Sequence, residues 1–148
     1  MDEKLDRTHL LGVWSLVSIR DRLPDGTTGD APDFGPDPAG HLVYTASGHV
    51  SVNFMRRSRP PWRSEESPTD SERAIAAAGY GAYAGRFTLH AEEGFVLHHV
   101  EVALIPNRVG RDLKRFYSFS GDLLTLRPPP LVRAGVPVER TLAWRRIG

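Results

Sequence analysis

The chain contains no cysteine among its 148 residues, so disulfides, thiolate nucleophiles and cysteine-ligated metals are all excluded. Lysine is almost absent: Lys4 and Lys114 are the two present, and arginine carries nearly all of the positive charge. There is no surplus charge of either sign. The formal net charge is +1, which leaves no global field to draw the protein to nucleic acid or to a membrane surface. No apolar run approaches the length needed to span a bilayer, and the charged start, Met1-Asp2-Glu3-Lys4, lacks a hydrophobic signal segment. A cytoplasmic location is expected. Also missing are a phosphate-cradling glycine loop, a dinucleotide-binding fingerprint, a nucleophile elbow and an H-x-x-x-H helix.

What remains is an ordinary globular composition, 40% apolar and 25% charged, at a length that suits one domain over residues 1–148. Short alternating segments separated by turn residues are expected as strands at 9–20, 40–45, 49–55, 85–91, 94–103, 112–119, 123–127 and 138–146. Thr69-Asp70-Ser71-Glu72 is a capping box, and a helix is expected over 70–83, with Ile75, Ala78, Gly79 and Ala82 as a small-residue face. The Pro- and Gly-rich stretch 21–39 is expected to cover one mouth of the resulting structure. This reading is an all-β fold: an eight-stranded antiparallel up-and-down barrel with one short α-helix.

Leu11-Gly12-Val13-Trp14 precedes the first strand, and Leu142-Ala143-Trp144-Arg145-Arg146 closes the last. A Trp at the narrow end of a small barrel, covered by an Arg from the closing strand, makes a plug. Strand alternation then selects the inward residues. The first and last strands offer Trp14, Leu16, Ser18, Leu142, Trp144 and Arg146. The middle strands offer Leu42, Tyr44, Val50, Val52, Phe54, Phe87, Leu89, Val96, His98, Val100 and Val102. The hairpin at Gly121-Asp122 offers Leu113, Arg115, Tyr117, Phe119, Leu124 and Leu126. A register slip of one residue in the 94–103 region would instead bring Arg86, His99 and Glu101 inward.

The expected lining is apolar with four polar side chains, Tyr44, His98, Arg115 and Tyr117, the pattern of a small-molecule site. Arg115 and Tyr117 could stabilise a carbonyl or enolate oxygen, and a buried neutral His98 could move a proton; these three are the candidate catalytic residues. A hydrogen-bonded core role for His98 and a packing role for the tyrosines are the competing readings. Candidate ligand contacts are Tyr44, Val52, Phe54, Trp62, Phe87, Val100, Phe119 and Leu126, with Trp62 as a lid residue. His98 and His99 point to opposite faces of one strand and cannot share an ion, and no metal site or cofactor is expected. The Arg56–Arg63 stretch reads as a solvated loop rather than a nucleic-acid contact.

The motifs at 11–14, Gly40 to Val52, Tyr80 to Phe87, His98-His99-Val100-Glu101, Pro106-Asn107 and 142–144 together resemble the lipocalin-like domain family of the calycin group. That resemblance implies an eight-stranded barrel with a central pocket and names no reaction. Two functions are open. One is a cofactor-independent cyclisation or isomerisation of a small hydrophobic, polyketide-like intermediate. The other is a passive carrier or sequestering protein. The expected partner is a small hydrophobic molecule, with no nucleic acid or membrane, and the protein is expected as a monomer or homodimer.

Overall fold

A computed structural model describes residues 6–148. Eight antiparallel strands close into a barrel: β1 (Gly12–Arg22), β3 (Ala39–Tyr44), β4 (His49–Met55), β5 (Tyr80–His90), β6 (Phe95–Ala103), β7 (Asp112–Ser120), β8 (Leu123–Arg127) and β10 (Val136–Arg146). Each pairs with its neighbour, and β1 pairs with β10 to complete the ring. Closure leaves no free sheet edge within the ring. Two short strands were not expected: β2 (Thr28–Asp30) extends β1 within the 21–39 stretch, and β9 (Leu131–Arg133) extends β10.

The single helix, α1 (Asp70–Ala78), opens on the capping box read from the sequence, with Thr69 and Glu72 bonding each other's backbone N–H groups. It ends five residues earlier than the expected 83. The alanine-rich pattern runs on to Ala82, but Gly79 stops the helix and Tyr80 to Ala84 pair with β4 instead. Sheet pairing outweighs a weak helical preference there. No residue of α1 is buried, and Ile75 is exposed; of the small-residue face, Gly79, just past the helix, is the buried member, packed against the Arg56 and Arg59 side chains.

Gly12 explains the opening motif. Its φ is +128°, and a Cβ there would lie 2.4 Å from the Gly148 carbonyl oxygen and 2.7 Å from the Arg146 guanidinium. Trp14 is buried, donates its indole N–H to the Leu10 carbonyl at 2.9 Å, and carries the Arg146 guanidinium 4.2 Å above its ring. Arg146 is therefore the cap over the plug rather than an inward side chain. Phe119 packs against Trp14 at 6.1 Å, and Arg7, from a short N-terminal turn, lies over Phe87. This end of the barrel is sealed.

Two β-bulges redirect the lining. In β1 the register shifts between Leu16 and Ser18, so Ile19 and Asp21 turn inward and Ser18 does not. Between β5 and β6 the shift lies at Ala84/Gly85, where Glu101 is the extra residue. Gly85 allows this close approach, since a Cβ would sit 1.8 Å from the His99 carbonyl oxygen. Beyond the bulge Val102 is 63% exposed, not inward as the alternation had it. His98 and Val100 precede the bulge and keep the expected face. Arg86, His99 and Glu101 are on the outer face, where Arg86 and Glu101 approach to 3.9 Å.

Candidate functional site

The other end of the barrel is open. A cavity of about 410 Å³ enters it between the loop after β6, the Pro128-Pro129-Pro130 segment and the start of β10. That volume suits a small organic molecule. The wall is largely apolar, with Ile19, Leu42, Val52, Leu126 and Leu142 contributing, and the Trp144 indole also lies on it.

At the wall stands His98, 1% exposed and held between two phenols. Tyr44 Oη lies 2.6 Å from Nε2, and Tyr83 Oη lies 2.6 Å from Nδ1. Burial pushes the His98 pKa well below its ordinary value of 6.5, and the positive charge of Arg115 and then His99 push it the same way. The imidazole is therefore neutral near pH 7. Burial likewise holds the Tyr44 phenol well above its usual range, so it stays protonated.

Four arginines, Arg108, Arg111, Arg115 and Arg140, and Lys114 supply the cationic part of the wall. Arg140 is neutralised: Asp21 takes it at 2.8 and 3.0 Å, and Asp33 adds a contact at 3.0 Å. Arg115 and Arg108 differ. Arg115 has one hydrogen bond, to the neighbouring Lys114 carbonyl at 3.0 Å. Arg108 lies 6.0 Å from the Tyr83 ring centroid, and burial followed by the nearby Arg115 charge lowers its pKa. Asp112 is the one carboxylate among the described lining residues, and it pairs with His99 at 2.7 Å on the outer face.

Of the candidate catalytic residues, the structure brings His98 and Arg115 to the cavity wall together. Tyr117 is not on that wall; it is buried near the sealed end, with its ring 5.7 Å from Phe119. Among the candidate contacts, Val52, Phe54 and Leu126 line the cavity. Tyr44 stands behind His98, while Phe87, Val100 and Phe119 belong to the core and lie off the cavity wall. Trp62 is no lid. It is 38% exposed and lines a separate surface depression with Arg59, Pro60 and Pro61. The 21–39 stretch does fold over the open end, with Phe34 packed on Phe54 at 4.9 Å and Asp33 bound to Arg140.

Sequence reasoning missed Tyr83, Arg108, Arg140 and Asp21. Tyr83 shares the parity of Phe87 and Leu89 and would have been found by starting β5 at Tyr80. Asp21 depends on the β1 bulge, and Arg108 sits in a loop, where alternation says nothing; Arg140 shares the parity of Leu142 and Trp144 within the expected 138–146 strand and was open to alternation.

No helix among the described residues is long and apolar enough to cross a membrane. Residues 11–147 match the lipocalin-like domain family, and the chain belongs to that family. Over 107 residues it is 35% identical to the 4'-hydroxy-3'-methoxypropiophenone carrier protein ppsC of Aspergillus oryzae, a stretch that covers 66% of this chain and 96% of that protein.

Proposed function

We propose that this member of the lipocalin-like family binds a small, mostly apolar molecule bearing oxygen functions in the open end of its barrel and carries it unchanged. The observation that supports this most is the cavity: about 410 Å³, apolar in its walls, with a few convergent polar groups. The relative named as a carrier of an aryl ketone points the same way, and a substituted phenyl ketone is of a size this cavity takes. A carrier needs no reactive group, and His98, clamped at both ring nitrogens, suits a fixed wall.

A second reading is a cofactor-independent cyclisation or isomerisation. It is favoured by one feature, the hydrogen-bonded chain from Tyr83 through neutral His98 to Tyr44, which is a path along which a proton can move. Arg115 would then polarise a carbonyl oxygen. Tyr117, away from the cavity wall, has no part in either reading.

The test is to incubate the purified protein with a panel of aryl ketones and extracted small molecules, then separate and weigh both the bound and free fractions. A compound retained and recovered unchanged supports the carrier. An isomer of equal mass, formed with the protein and not with a heat-killed control, replaces it with the catalytic reading. Retention of nothing defeats both.

A further inference from the structure

The polar side-chain atoms that the cavity wall leaves free are hydrogen-bond donors. The Tyr44–His98–Tyr83 chain shows this by counting protons. Two phenols and one neutral imidazole carry three protons, and the two hydrogen bonds between them use two. The third belongs to whichever phenol accepts from the ring. Tyr44 is 1% exposed and off the cavity, with no other hydrogen-bond partner among the described residues, so a free O–H there would be buried and unsatisfied. The tautomer with the lower cost has Tyr44 donating to Nε2 and Nδ1–H donating to Tyr83. The Tyr83 O–H is then left for the cavity, whose wall Tyr83 lines.

The other polar side chains agree. The Trp144 indole lies on the same wall, and its N–H, itself shut off from the cavity surface, has no acceptor among the described residues. Among the described residues no carboxylate lies against Arg115 or Arg108, while Asp112, Asp21 and Asp33 are engaged by His99, Arg140 and, at Asp33, also Arg133. Unpaired positive charge beside apolar walls is costly, and an anion relieves it.

Building on the carrier reading, we infer that the ligand enters as an organic anion, a phenolate, enolate or carboxylate on an apolar body, with its charged oxygen at Arg115, Arg108 and the Tyr83 hydroxyl. A neutral ligand of the same shape leaves those donors unmatched. The cavity therefore selects for ionisation as well as for size, and binding lowers the ligand's own pKa.

The probes are 4-nitrophenol, whose phenolate is read directly by its visible absorbance, and 4-nitroanisole, its methylated neutral counterpart. Titration at a pH where nitrophenol is partly ionised is expected to show the phenolate bound at least about tenfold tighter than the anisole, and more phenolate present on the protein than in buffer. Arg115→Gln is expected to remove about tenfold of the phenolate affinity and leave the anisole unaffected; Arg108→Gln serves the same purpose if the first variant does not fold. The indole N–H resonance of Trp144, assigned with Trp144→Phe, moves on binding and that of Trp62 does not. Equal affinity for the two probes, or phenolate affinity insensitive to both Arg substitutions, overturns the inference while leaving the cavity a binding site. Retention of neither probe removes the inference and the carrier reading on which it rests.

Discussion

Trp14 and Trp144 stand on neighbouring strands, both 1% exposed, and their indole N–H groups meet opposite fates. Trp14, at the sealed end, donates to the Leu10 carbonyl and lies beneath Arg146, whose guanidinium is itself bound to the Leu11 and His9 carbonyls at 2.6 Å each. Trp144, at the open end, has no acceptor, and Arg115 on the same wall has one carbonyl. The two ends use the same residue types. At one end the Trp14 and Arg146 donors are matched from within the chain; at the other, donors remain for something else. The sealed end is where the barrel stores stability, and the open end is where it gives some up for binding.

If that division holds, substitutions at the two ends separate stability from binding. Trp14→Ala is expected to have the largest effect, a loss of about 3–5 kcal/mol, because it empties the plug and strands Arg146 over a void. Chemical denaturation measures it, and a loss below about 1 kcal/mol would mean that the sealed end is not the anchor. Asp21→Asn comes next, at about 1.5–3 kcal/mol, since Arg140 loses a charged partner on two nitrogens and keeps Asp33. This is the one place where the open end is as stabilised as the sealed one.

His98 makes the third test. Its pKa is lowered in the folded state, so its contribution is present in full above the unfolded value of 6.5 and is lost as pH falls below it. The unfolded chain takes up a proton that the buried ring refuses. Stability is expected to fall by up to about 1.4 kcal/mol per pH unit from this group below pH ~6.5. His98→Gln flattens that slope by one proton; an unchanged slope assigns the acid sensitivity elsewhere. The smallest effect is expected on the outer face, from Asp112→Ala. Asp112 pairs with His99, which also bonds Thr88 at 2.7 Å, and both members of the pair are substantially solvated. A change of about 0.5 kcal/mol or less is expected by thermal melting.

His98 and His99 show how far alternation carries. Adjacent on β6, they face opposite ways as strand geometry requires, one between two phenols inside and one between a carboxylate and a hydroxyl outside. The plug was legible for a similar reason: Gly12, Trp14 and Arg146 carry their meaning in position relative to the first and last strands. The open end was only half legible. His98, Arg115, Val52, Phe54 and Leu126 reach it by simple alternation, whereas Asp21 does so only after a bulge, and Tyr83 only because β5 begins at Tyr80 instead of in a helix. Trp62 misled because a large aromatic in a Pro-rich loop carries no direction until the loop is packed.

The amino-acid sequence on its own determined the barrel, its plug and the inward face of each strand up to the first irregularity. These follow from period-two alternation and turn chemistry, which act between residues close in the chain. Only the tertiary structure decided where alternation breaks, which arginines are paired and which acids are already taken. A bulge exists by virtue of the strand across from it, and an ion pair such as Asp21–Arg140 joins residues from opposite ends of the chain. Neither leaves a local mark for the sequence to show.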